Sequence, residues 1–278
     1  MSYKIYYSHN FLGGAVTLSN IQASIQKEKQ EDDRLKANIP IVYEFKLNYG
    51  GIGDFIKYMK ASVKKSKDMN AEFYINLDHP MNEFIKIKDK YIFNPQKTKV
   101  YEIIKPFMLY YKRFSLDDFF FEPLQYFTFS KDCLDNCSNL LLKGNINSDY
   151  EGIHLRLGDS NMKYTNIVKE DDRAKGVNFN EIVGKIVSSK KDTIFLLFSD
   201  NEQVKTEIFK TYDNVRILDI EIIHTGDHSK TKVSSQCLKD NISEFVILSK
   251  AKKIHSVTYS GYSIVASWIY LNPYVNYY

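Results

Sequence analysis

The sequence predicts an α/β protein built from two Rossmann-like domains that face one another across a cleft. Three observations carry that expectation. Strand-like and helix-like segments alternate through the C-terminal half, as in a parallel sheet covered on both faces. A β-loop-α-β unit with glycines at its first crossover opens the N-terminal half. Between them, Lys143 to Asp149 is polar and rich in turn formers, which places the division at residues 1–147 and 148–278.

Taken in order, Tyr3 to Tyr7 reads as a short strand, and about Thr17 to Lys36 as a polar helix with an exposed continuation. Ile41 to Phe45 is a second strand, rich in β-branched and aromatic residues. It runs into Asn48-Tyr49-Gly50-Gly51-Ile52-Gly53, after which Asp54 is expected to N-cap a helix with Phe55, Ile56, Met59 and Val63 on one face. Ala71 to Leu77 returns as a strand. Met81 to Leu142 is expected to hold helices and loops, with aromatic runs such as Phe107 to Tyr111 and Phe119 to Phe121. Beyond the linker, strands are expected near Gly152–Leu155, Thr193–Phe198, Val215–Leu218 and Lys253–Val257. Helices fall at about Phe179–Ser188, Asn201–Lys210, Asp240–Lys250 and Tyr262–Tyr270.

Composition narrows the class. The chain has 278 residues, 44% hydrophobic and 26% charged, enough for a substantial core and unlike a disordered segment. Its 21 Tyr and 18 Phe serve cores as readily as sugar or base stacking, so their number decides nothing. A net charge of +4 without a basic stripe argues against a nucleic-acid partner, and the run Lys57, Lys60, Lys64, Lys65 and Lys67 reads as a solvated helix face. Cys133, Cys137 and Cys237 form no disulfide framework and fit a reducing compartment. The start has no apolar run and no stretch approaches roughly 20 apolar residues, so neither signal peptide nor membrane span is expected. A cytoplasmic location is the expectation.

Three clusters carry chemistry. His154 and Arg156 alternate with Ile153, Leu155 and Leu157, so both project from one face of a strand running into a loop. Arginine offers a charged fork suited to a pyrophosphate, Gly158 permits close backbone approach, and Asp159 can brace the arginine. Phe198-Ser199-Asp200-Asn201 ends a buried strand in small polar residues able to cap the next helix. Thr258-Tyr259-Ser260-Gly261-Tyr262-Ser263 opens the last helix, whose start can hold an anion without a metal. Asp32-Asp33, Asp117-Asp118 and Asp171-Asp172 are adjacent pairs in polar segments, read as surface charge, not as metal ligands.

The order His-x-Arg-x-Gly-Asp, a strand ending Ser-Asp, then Leu-Ser and Ser-Gly-x-Ser before a final helix resembles the fucosyltransferases of the GT-B fold, in their α1,6-, α1,2- and protein O-fucosyltransferase groups. Gly50-Gly51-Ile52-Gly53-Asp54 resembles the opening Gly-x-Gly-Asp/Asn loop of the same family. The resemblance implies a metal-independent, inverting transfer from a nucleotide sugar, GDP-fucose, to a glycan or other hydroxyl acceptor. It implies that Arg156 binds the donor pyrophosphate, that His154 lies near the nucleotide, that Glu244 reads the guanine and that Ser260 contacts the phosphates. Gly51 and Gly53 would face the phosphates across the cleft, with Ser199, Asp200, Gly261, Tyr262 and Ser263 completing the donor site. Asp54 and Asp159 are the candidate general bases. Where the α1,6 and α1,2 groups often carry a second arginine after the first, this chain has Leu157. The same fold with another nucleotide sugar, or with binding alone, remains the alternative.

Overall fold

A computed structural model describes residues 3–5, 39–47, 49–98, 100–106, 119–158, 176–223 and 234–278. The polar helix expected at Thr17 to Lys36, the run Phe107 to Tyr111 and the three adjacent aspartate pairs lie outside these residues, as does Asp159.

The chain opens with strands β1 (Tyr3–Ile5) and β2 (Ile41–Lys46), helix α1 (Ile52–Asp68) and strand β3 (Phe73–Asp78). Strands β4 (Ile85–Ile87), β5 (Val100–Ile104) and β6 (Phe127–Phe129) follow, then helix α2 (Lys131–Lys143). The second half runs β7 (Tyr150–Leu155), α3 (Phe179–Ser188), β8 (Ile194–Ser199), α4 (Glu202–Thr211) and β9 (Val215–Ile217). It ends with α5 (Ser235–Ser249), β10 (Ile254–Ser256), α6 (Gly261–Tyr270) and β11 (Tyr274–Asn276).

Two parallel sheets form the frame, in the orders β1-β5-β2-β3 and β11-β10-β7-β8-β9. Sequence periodicity located the second sheet well, missing only its edge strand β11. The middle of the chain departs from expectation: beside helix and loop it supplies β5, which fills the gap between β1 and β2, and the antiparallel pair β4–β6.

Burial follows the periods of the elements. On α1, Phe55, Ile56, Met59 and Val63 are all buried, as a 3.6-residue repeat requires. Lys60 is buried as well, its ammonium 4.3 Å from the Trp268 ring centroid, so the lysine run is not one solvated face. Strand β8 is apolar on both sides: Phe195 and Leu197 enter one core cluster, Leu196 and Phe198 the other. The larger cluster runs from β2 and α1 through α2, α5 and α6 to β8. Helix α2 is fastened to α5 there. Asn136 donates to Asp240 Oδ1 at 2.9 Å and to Ser243 Oγ at 3.0 Å, while the Cys137 thiol points to the Ser243 carbonyl. The three cysteines are unbridged thiols. Among the described residues, no helix is long and apolar enough to cross a membrane.

Strand β7 lies at the centre of its sheet and is pressed against α5. A Cβ added to Gly152 would meet Leu248 Cδ1 at 2.9 Å and Ala251 Cβ at 3.2 Å. Gly152→Val is therefore expected to destabilise the fold by about 1–3 kcal/mol, with Gly152→Ala milder. Urea midpoints check this; equal stability of Gly152→Val and the parent would refute the tight contact.

Candidate functional site

The site is built where β7 and β8 end. Ile153 and Leu155 enter the smaller core cluster, and the alternation turns His154 to the other face, where its ring stacks on Tyr262 with centroids 5.5 Å apart. Beyond the last ladder position, a side chain takes over from the missing neighbour. Thr258 Oγ1 accepts from the Arg156 amide at 2.7 Å and donates to the Arg156 carbonyl at 2.8 Å. The chain then turns at Gly158, whose φ of +123° lies in the region that favours glycine.

Asp200 clasps this turn. Its two carboxylate oxygens accept from the amides of Leu157 at 2.7 Å and Gly158 at 2.8 Å, and Arg156 Nη1 lies 3.1 Å from Oδ2. Burial pushes the Asp200 carboxyl up, against the pull of Arg156 and the two amides. Asp200 thus braces Arg156; Asp159, to which the sequence also offered that place, lies outside the described residues. The helix cap expected from the same segment falls to Asn201, whose Oδ1 accepts from the Val204 amide at 3.0 Å.

Two helix starts meet beside Arg156. Helix α1 is capped by Gly51, not by Asp54 as the sequence suggested. Gly50, at φ +115°, turns the chain so that Asp54, third in the helix, folds its carboxylate back to the Gly51 amide at 3.3 Å. Helix α6 is capped by Ser260, whose Oγ accepts from the Tyr262 amide at 3.2 Å. The starts lie against one another: a Cβ on Gly53 would stand 3.5 Å from Tyr262 Cα, in van der Waals contact.

Between these parts lies a cavity of about 250 Å³. Of the residues expected at a donor site, Gly51, Gly53, His154, Arg156, Ser199, Asp200, Glu244, Ser260, Gly261 and Tyr262 line it, and so does Asp54. Ser263 is not brought there. Its hydroxyl is fully buried under the turn, 2.9 Å from Ser256 Oγ and donating to the Ser260 carbonyl.

The structure adds Lys57 of α1, Asn241 of α5 and the wall Ile222–Ile223. Asn241 fixes that wall: its Oδ1 accepts from the Ile223 amide at 3.1 Å and its Nδ2 donates to the Glu221 carbonyl at 2.9 Å. A sequence signal for it existed, since Asn241 and Glu244 stand three apart on one helix, hence on one face. Glu244 is buried, and desolvation pushes its carboxyl up to about 7, opposed by Lys205 and by the Tyr262 hydroxyl 3.5 Å away. Among the described residues, no three His, Cys, Asp or Glu side chains cluster as metal ligands would.

No family model and no curated protein matches this sequence. Solved structures match its fold. Fucosyltransferase NodZ from Bradyrhizobium superposes with a TM-score of 0.50 at 8% identity, over 82% of this chain and 92% of NodZ. NodZ α-1,6-fucosyltransferase co-crystallised with GDP gives 0.51 at 9% identity, over 82% of this chain and 91% of NodZ. POFUT1 in complex with GDP aligns at only 0.38 and 10% identity, over 94% of this chain and 79% of POFUT1, too loose to carry weight. The fold is therefore the α/β fold seen in NodZ.

Glu244 also makes stability depend on pH. Its carboxyl titrates near 7 when folded against an ordinary 4.5, so between those values the folded chain holds the proton more tightly than the unfolded one. Stability from this group is complete below about 4.5 and is lost as pH rises through 7. Glu244→Gln should consequently gain stability relative to the parent on going from pH 5 to pH 8. Urea midpoints at the two pH values check it, and an unchanged difference would refute the burial of an ionisable carboxyl.

Proposed function

We propose that the chain is a glycosyltransferase that moves fucose from GDP-fucose to a hydroxyl of a glycan or other acceptor, with inversion and without a metal ion. One observation carries the reading: Arg156 and the starts of α1 and α6 converge on a single cavity whose wall also holds the buried carboxyl of Glu244. That is a cationic site and a base-reading acceptor in one hollow. Likeness of fold to NodZ, a fucosyltransferase co-crystallised with GDP, supports it.

In the proposed complex the diphosphate lies against Arg156 and the first-turn amides of the two helices. The arginine contributes a charged donor fork, and each helix start contributes amides and the positive end of its dipole. As the bond between the anomeric carbon and the diphosphate breaks, its electron pair passes to the leaving group. The growing charge meets donors already in place, which is the condition for electrostatic stabilisation of the transition state. The acceptor hydroxyl attacks the anomeric carbon from the opposite side, and its proton passes to a carboxylate. We assign that base to Asp54, which lines the cavity on the α1 side. Ionised Glu244, an acceptor only, suits the adjacent N1–H and amino donors of guanine, and Ile222 and Ile223 offer the ring an apolar wall.

Calorimetry with GDP, UDP and ADP, first without and then with divalent metal, tests this. GDP is expected to bind selectively without metal, and Arg156→Ala to weaken it about 10- to 100-fold. Lowering the pH from 8 to 6 protonates Glu244 and should weaken GDP about tenfold more than UDP. Preference for UDP would keep the fold and move the donor to another sugar. Absence of nucleotide binding would refute the reading, as would an Arg156→Ala enzyme within about tenfold of parental turnover.

A further inference from the structure

The lysine run of α1 is the sequence feature that the proposed chemistry leaves unused. Most of its members have partners within the fold. Lys60 and Lys67 set their ammonium groups 4.3 Å and 4.9 Å from the ring centroids of Trp268 and Phe119. Lys64 pairs with Asp68 and Lys65 with Glu102. Lys57 differs. Among the described residues it forms no ion pair, and its Nζ stands 5.6 Å from the ring centroid of Tyr58, the next residue in the chain. It is half-buried and lines the cavity. Asp54, which also lines it, lies three residues back, so the two share one face of the helix.

The charge of the hollow gives such a lysine a task. Its charged lining is Asp54, Asp200 and Glu244 against Arg156 and Lys57. Arg156 is held by Asp200, Nη1 to Oδ2 at 3.1 Å, and that pair presents little net charge to a ligand. Without Lys57, the carboxyl groups of Asp54 and Glu244 would face an anion with no cation set against them. The helix starts supply only about half a unit of positive charge each. Nor can the residue after Arg156 help, because Leu157 packs against the smaller core cluster.

We propose that Lys57 is a diphosphate-binding residue, taking the phosphate oxygens from the α1 side while Arg156 takes them from the β7 side. The inference rests on the proposed nucleotide site and deepens it. When the bond to the anomeric carbon breaks, the electron pair and its charge stay on the diphosphate. Lys57 keeps its proton throughout, and its contribution is electrostatic. An ammonium on a flexible stem, with three rotatable donors, can follow the phosphate as it leaves.

Metal-free calorimetry on the full chain with GDP, inorganic pyrophosphate and guanosine tests it. Lys57→Met keeps the stem and removes the charge. It should weaken GDP and pyrophosphate about tenfold or more and leave guanosine unchanged. Lys57→Arg should recover most of the loss. Lys64→Met, on the same helix but outside the cavity, should alter none of the three. A Lys57→Met protein that binds GDP within about twofold of the parent overturns the inference. So does a loss shared equally by guanosine, which marks a change of shape and not of charge. Both outcomes leave the nucleotide site standing. If the parent takes UDP in place of GDP, Lys57→Met should weaken UDP and spare uridine, and equal effects on the two overturn the inference. A parent that binds neither nucleotide overturns the site itself.

Discussion

The site depends on one buried carboxylate. Asp200, at the end of β8, receives the amides of Leu157 and Gly158 and the guanidinium of Arg156 from the end of β7. A charge this deep must be satisfied or protonated, and three donors from one turn satisfy it together. The turn in turn needs a residue tolerant of positive φ, which Gly158 supplies. Strand ends, loop and arginine are therefore one unit. Its consequence for an anion is that Arg156 stands ready-ordered, so little side-chain freedom remains to be lost on binding.

The opposing wall is set by packing, not by charge. The larger core cluster joins the first sheet to α5 and α6, and the α1 and α6 starts come together beside it, with Gly53 next to the Tyr262 backbone. Their first-turn amides cannot both be satisfied within their own helices. Helix geometry alone thus leaves donors aimed into the cavity that the Asp200 clasp closes from the other side.

What was legible in the sequence was local. Helix α3 was located to the residue, and four of the five strands of the second sheet to within two, because a buried parallel strand and an amphipathic helix each impose their own period. The motif residues gathered at one cavity for the same reason: they follow strand ends. What was illegible was set by partners distant in the chain. Asp200 looked like a helix cap, yet its carboxylate serves amides 42 and 43 residues earlier. Strand β5 is short, set in an aromatic stretch, and pairs with β1 about 97 residues before it. Asp54 was misplaced by three positions because a single backbone angle, at Gly50, decided the cap. Ser260 and Ser263 share a helix face by spacing, and only the depth of Ser256 beneath the turn separates the one at the cavity from the one under it.

The place of Leu157 shows how the same geometry constrains charge. Ile153, Leu155 and Leu157 fall on one side of the alternation, and Leu157 packs against the smaller core cluster with them. An arginine at 157 would enter that apolar cluster and not the cavity, while the amide of residue 157 is already committed to Asp200. Among the described residues, the second cation lining the hollow comes from across it. Lys57 stands there, on the second turn of α1, beside the amides of the helix start. Positive charge is therefore divided between the two sheets' halves of the site. An anion bound there would join them, which a pair of arginines on one strand would not do.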